Sequence, residues 1–307
     1  MASSNFAFNN PAFQEHRPGL TPPPAQQAGT QTQYASAAHA GMNAAADAQL
    51  EGMFAAPPAG AIQTGRMTVE DTVLKTLSLF AILLVTAVVG WVWTLGGAFS
   101  RGQVASVDQI TIVPWIVGAL GGFVLAMIVA FTSRKKVRPA LIFGYAAFEG
   151  LFVGGISAYF DFIWPGIVMQ ATLATLAVVG VTLALFASGK IRASARATKV
   201  FMIALVGYLV FSLLNLVLMW TNVIPQELAF GIRSATIAGI PIGLILGVLV
   251  VIMAAYSLVL DFDQIQQGVR NGAPRELGWL GGFGIMVTVV WLYVEILRMI
   301  AILRGND

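Results

Sequence analysis

Four carboxylates stand inside or at the edge of long apolar runs. They are Glu149 in GYAAFEGLFVGG, Asp261 and Asp263 in YSLVLDFDQIQQG, and Glu295 in LYVEILR. Carboxylate oxygens suit hard cations such as Ca²⁺. A charged side chain at the centre of an apolar membrane helix costs about 2.5–3.5 kcal/mol on insertion scales, so such a residue faces a cavity, a partner or an ion path. The chemistry these residues suggest is ion passage and proton binding.

Their spacing refines this. Glu149 falls about ten residues into its run, roughly 15 Å deep at 1.5 Å per residue, with no basic residue within a turn or two. It either meets a partner on another helix or stays protonated. Asp261 and Asp263 are two residues apart, about 200° on a helix. One faces the protein and the other faces water, Asp261 on the side of Gln264 and Ile265, Asp263 on the side of Gln266 and Gln267. Glu295 has Arg298 three residues later on the same face, the spacing of an intrahelical ion pair. Arg298 can also reach an interface by its long stem.

Other chemistries lack their residues. The chain has no cysteine, and its two histidines, His16 and His39, both precede the apolar runs. A thiolate nucleophile, a thiolate metal site and a membrane-embedded histidine relay are thereby excluded. Asp261 and Glu295 match a two-aspartate intramembrane protease poorly, and no HExxH motif occurs. The expectation is a protein that is not an enzyme and that holds no cofactor.

The elements that carry these residues follow from composition. Of 307 residues 57% are hydrophobic and only 10% charged, with mean hydropathy +0.80, where soluble domains carry about 25% charged residues. Such a chain is an integral membrane protein. Runs of about 20 apolar residues each span a bilayer as a helix, and seven are expected: 73–97, 113–133, 139–160, 167–188, 199–221, 237–261 and 279–303. A membrane barrel would alternate polar and apolar residues instead. The fold class is an all-α integral membrane protein, a seven-transmembrane-helix bundle. Gly150-xxx-Gly154 and Gly243-xxx-Gly247 mark close helix packing. Thr68 and Asp71, at capping-box spacing, open the first helix.

Residues 1–66 differ from the rest. They are rich in Ala, Gln, Pro, Gly and Thr, without apolar periodicity, and are expected to form a disordered cytoplasmic tail ahead of a transmembrane domain at 67–307. No apolar signal-peptide core occurs in the first 30 residues. Arg134, Lys135, Lys136 and Arg138, then Lys190, Arg192, Arg196 and Lys199, then Arg270 and Arg275 occupy alternate loops. By the positive-inside rule these loops are cytoplasmic, which puts the N-terminus inside and the C-terminus outside a plasma or inner membrane. The net charge of +3 resides in these topological signals, so no nucleic-acid partner is expected. The expected partners are the lipid bilayer and other membrane proteins.

LDFDQI at 260–265, WLYVEILRMIAIL at 291–303 and FEG at 148–150, in that order, resemble the transmembrane Bax inhibitor motif (Bax inhibitor-1) family. The resemblance covers roughly residues 67–307, with the tail as an addition. It implies a pH-sensitive calcium leak channel in which an acid on helix six and an acid on helix seven form a hydrogen-bonded pair that closes the pore. By position these acids are Asp261 and Glu295, which would share a proton and also offer oxygens to Ca²⁺ as permeant ion. Glu149 and Asp263 are further ion-path candidates. Three features depart from the pattern. The last acid is Glu rather than Asp, 34 residues separate it from Asp261, and span two has no mid-membrane arginine. A straight hairpin turning near Gly272 would set Asp261 opposite Gly282, about 20 Å from Glu295. GWLGGFG at 278–284 is expected to absorb the difference by lying at the interface or re-entering, with span seven proper starting near Ile285. The alternative function is a regulatory membrane protein that binds others, such as a quality-control protease.

Overall fold

Long runs of Leu, Val, Ile, Phe and Ala satisfy every backbone group within one segment only as helices, the form a bilayer tolerates. The computed structural model describes residues 65–104, 109–221, 223 and 230–305. The expected tail therefore falls, except for Gly65 and Arg66, outside the described residues. Seven helices long and apolar enough to cross a membrane occur among the described residues. They are α1 (Val69–Thr94), α2 (Val113–Thr132), α3 (Pro139–Ile163), α4 (Ile167–Ala187), α5 (Ala195–Trp220), α6 (Ile242–Arg270) and α7 (Leu277–Gly305). The protein is an all-α multi-pass membrane protein. A ribbon of two short strands, Thr236–Ile237 and Ile240–Pro241, precedes α6.

Helix starts follow local chemistry. Thr68 caps α1, its Oγ1 accepting from the Asp71 N–H at 3.2 Å. Ser194 caps α5, accepting from Ala197 N–H at 3.2 Å. Proline opens α3 and sits in the first turn of α2, where its missing N–H costs nothing.

α7 is the central helix. Over its most apolar window 56% of residues are buried, against 11% for α5. α7 packs on α6, α1 and α4, while α1 and α2 pack on α3. Phe283 of α7 meets Tyr145 of α3 edge-on at 4.8 Å, and Trp279 meets Phe143 at 4.9 Å. The outward faces carry exposed Leu84, Phe123, Val200 and Leu209, an apolar surface suited to lipid. Gly150 and Gly154 of α3 seat the backbone of α1 at Leu83 and Ala87, and Gly243 and Gly247 of α6 receive Ile302 and Met299 of α7.

Several boundaries differ from expectation. α6 begins at Ile242 rather than 237, because Ala238 and Gly239, both at positive φ (53° and 80°), turn the chain into the ribbon first. It then continues nine residues past Asp261, since FDQIQQGVR is polar yet helix-compatible. α7 is likewise one helix from Leu277, so GWLGGFG does not lie apart at the interface. Its glycines let α7 lie against α1: a Cβ at Gly278 would come within 3.1 Å of Lys75 Nζ, and one at Gly282 within 2.9 Å of Thr76 Oγ1.

The segment before α1 is sewn to the α6–α7 turn. Met67 N–H donates to Ala273 O at 2.8 Å, and Arg275 N–H donates to Gly65 O at 2.9 Å. Arg66 and Pro274 form the intervening bridge, and the Met67 side chain is buried in the core. Arg275 grips Asp71 Oδ1 with Nε at 3.0 Å and Nη2 at 2.7 Å. Lys75 Nζ donates to Asp71 Oδ2 at 2.5 Å and to Arg275 O at 2.6 Å. The Asp71 carboxylate beside Arg275 holds that guanidinium in its charged form more firmly than usual.

Candidate functional site

Asp261 is fully buried on α6, nine residues before its end at Arg270. Its Oδ2 accepts from Thr288 Oγ1 of α7 at 2.7 Å. Ser257, one turn earlier on α6, places its hydroxyl 3.4 Å from the same Thr288 oxygen. The three side chains form a buried polar seam between α6 and α7. Asp263, two residues on, is half-buried and accepts from Gln267 Nε2 at 2.7 Å along its own helix. The two aspartates thus point to different faces.

Glu295 is also buried, 2% exposed, but in a second cluster. Its Oε2 accepts from Tyr208 Oη of α5 at 2.7 Å, and Arg298 forms an ion pair with the same oxygen. Arg298 Nη2 also donates to Tyr208 Oη at 2.6 Å. Arg233 stacks over the Tyr208 and Phe211 rings at 5.4 and 5.5 Å, and its Nη2 donates to Ser212 Oγ at 2.7 Å. A buried charge needs such partners to offset lost hydration.

The structure therefore joins Asp261 and Glu295 to different groups. Thr288, the α7 partner of Asp261, lies seven residues before Glu295, two helical turns or about 10.5 Å along the axis. Asp261 bonds Thr288 of α7, while Glu295 bonds Tyr208 of α5 and pairs with Arg298. The physical reason is register. The turn at 271–276 is longer than a tight hairpin at Gly272, so Asp261 meets residue 288 rather than 282, and α7 has no unwound stretch to bring 295 back. Among the described residues no group of three or more His, Cys, Asp and Glu comes together as a metal site.

Glu149 sits on α3 toward α2. Its Oε2 lies 3.1 Å from where a Cβ on Gly122 would stand. Tyr145, one turn earlier on the same face, presents its hydroxyl to the Glu149 carboxylate.

Thr288, Ser257 and Tyr208 carry no sequence signal as site residues. A hydroxyl in an apolar helix more often bonds its own backbone four residues back, as Thr175 does to Ala171 O at 2.7 Å.

The family model described as Bax inhibitor 1 like matches residues 10–305. The match reaches well into the N-terminal segment, so most of that segment lies within the family's extent rather than outside it. Comparison with curated proteins and with solved structures finds no match.

Proposed function

Since the chain belongs to the Bax inhibitor 1-like family and is a multi-pass membrane protein, we propose that it is a cation leak channel, with Ca²⁺ as the expected ion and the α6–α7 seam at Asp261 as its gate. The observation that carries this reading is a carboxylate with no solvent exposure, on a helix long and apolar enough to cross a membrane, held by a hydroxyl on the central helix. Such residues mark ion paths.

In the closed seam the acceptor oxygen of Asp261 is engaged by Thr288. Opening parts α6 from α7 and so breaks the Asp261–Thr288 bond together with the Ser257–Thr288 approach. The freed carboxylate oxygens then face the path and attract a cation. A charged carboxylate is far better solvated in a water-filled path than in a dry seam. Ionisation therefore favours the open form, and flux rises with pH. Glu295, two turns further along α7, forms a second constriction with Tyr208 and Arg298. Glu149 is assigned to the path from its place in α3, and Asp263 to the mouth of the path at the α6 end. The Lys- and Arg-rich loops support an orientation with this mouth and the N-terminus in the cytoplasm and the C-terminus outside. Reporter fusions after Gly305 that are active only in the cytoplasm overturn that orientation.

The test is Ca²⁺ flux into liposomes holding the purified chain, measured across a pH series. Asp261→Asn flattens the pH dependence, while Asp263→Asn changes it much less. Absence of Ca²⁺ flux at every pH defeats the channel reading and leaves the regulatory one.

A further inference from the structure

A cavity of about 710 Å³ opens sideways between α1 and α4, with α3 and α7 as its floor. α4 packs on α7 and α6 rather than closely on α1, which leaves the gap. The volume falls within the range of about 300–1,000 Å³ typical of ligand sites.

The lining chemistry selects the occupant. No charged residue lines the cavity. Its polar side chains are largely satisfied within the protein. Ser157 Oγ and Tyr293 Oη bond each other at 2.6 Å, Thr175 Oγ1 donates to its own helix, and Trp91 Nε1 donates to Phe99 O at 3.1 Å. Ordered water needs two to four polar partners, which this lining does not offer. Left empty, the walls forfeit their dispersion contacts. An apolar guest restores them.

The mouth indicates where the guest comes from. Leu84, Val88, Phe99 and Leu176 at the opening are exposed and continue the lipid-facing surface of the bundle. The guest reaches the cavity from the bilayer without crossing water. With no cation in the lining to hold a carboxylate, its head stays outside, at the interface. We propose that this cavity is a binding site for one acyl chain of a bilayer phospholipid, inserted between α1 and α4 while its headgroup remains at the membrane surface. The chain contacts α7 at Val290 and Tyr293, between Thr288 and Glu295. The proposal does not depend on the channel reading.

The test uses the purified full-length chain in detergent, titrated with a phosphatidylcholine carrying a brominated acyl chain, which quenches nearby tryptophan fluorescence. Quenching is expected to saturate and to be lost largely in Trp91→Phe. Val168→Phe and Thr172→Phe, which fill the cavity from α4, weaken it about tenfold. Leu209→Phe, on the lipid-facing side of α5, leaves it unchanged. Quenching that never saturates and is equal in all these variants shows bulk lipid contact only and overturns the proposal. Equal or tighter quenching by a free brominated fatty acid overturns the assignment to a phospholipid. Should the filling variants not fold, native mass spectrometry of the wild-type chain purified in detergent decides. One retained phospholipid is expected, and none overturns the site.

Discussion

Thr288 Oγ1 donates to Asp261 Oδ2 at 2.7 Å, and through that bond the central helix holds Asp261 at a point two turns before Glu295. Thr288→Val removes the donor while keeping the shape. A buried acceptor that loses its donor costs about 1–3 kcal/mol, more if charged. The expected outcome is a lower melting temperature in detergent and a raised basal Ca²⁺ flux. Thr288→Ser keeps the hydroxyl and stays near wild type. A Val variant as stable and as closed as the Ser variant would show that the bond neither holds the seam nor gates it.

Glu295 and Arg298 make a different prediction, because their pairing is intrahelical and buried. Removing one member of a buried pair costs about 3–5 kcal/mol, since the other charge is left unpaired, whereas replacing both by apolar residues can be neutral. Glu295→Gln and Arg298→Met are each destabilising, and the double variant recovers most of the loss. Tyr208→Phe, which removes the hydroxyl shared by both, is intermediate. A thermal double-mutant cycle measures the coupling, and additive effects would refute it.

How much of this was visible in the sequence depends on what each feature rests on. The seven spans were, because 18 or more apolar residues in a row permit little else. Asp261 and Asp263 on opposite faces were too, since that needs only the helical period. The ends of α6 were not. Its start depends on the ribbon at Thr236–Pro241, and its last nine residues are a largely polar continuation of the helix. The register of Asp261 against α7 was hidden for a physical reason: the turn that sets it is fixed by Arg66 and Met67, about 200 residues earlier. The glycines at 278–284 were misplaced because a glycine-rich run promises flexibility until the partner helix that needs the room is known.

The clasp between residues 65–67 and the α6–α7 turn separates two truncations. Deleting residues 1–60 spares the bridge, the buried Met67 and the Thr68 cap, and should leave a folded, inserted protein. Deleting through Thr68 removes all three. Loss of a buried Met side chain alone costs about 2–5 kcal/mol, and loss of the cap about 1 kcal/mol more. Melting temperatures in detergent should therefore stay near wild type for the first deletion and drop sharply for the second. Equal melting of the two would mean that the clasp contributes nothing to stability.

Glu149 lies where α3 passes Gly122 of α2, with Tyr145 one turn away. Glu149→Gln keeps the shape and the acceptor oxygen, so expression and stability should remain close to wild type. Glu149→Lys brings a longer cation to a contact without room for it and without a carboxylate partner, and should express poorly. Equal yield and stability of the two variants would place Glu149 against water instead.

Gly150 gives the sharpest prediction about packing. A Cβ there collides with the Leu83 carbonyl oxygen and the Thr86 hydroxyl of α1. The carbonyl is helix backbone and cannot turn aside, so α1 and α3 must separate along their length. Gly207 on α5 has nothing within 4 Å of an added Cβ. There alanine removes only a helix-interior glycine, which is worth roughly 0.5–1 kcal/mol in favour of the variant. Gly207→Ala should hold or raise the melting temperature, and Gly150→Ala should lower it by several degrees and loosen α1 against protease. The apolar runs are unchanged in both, so both should still insert in the membrane. A Gly150→Ala protein that melts with wild type would show that α1 and α3 do not approach as closely as their backbones imply.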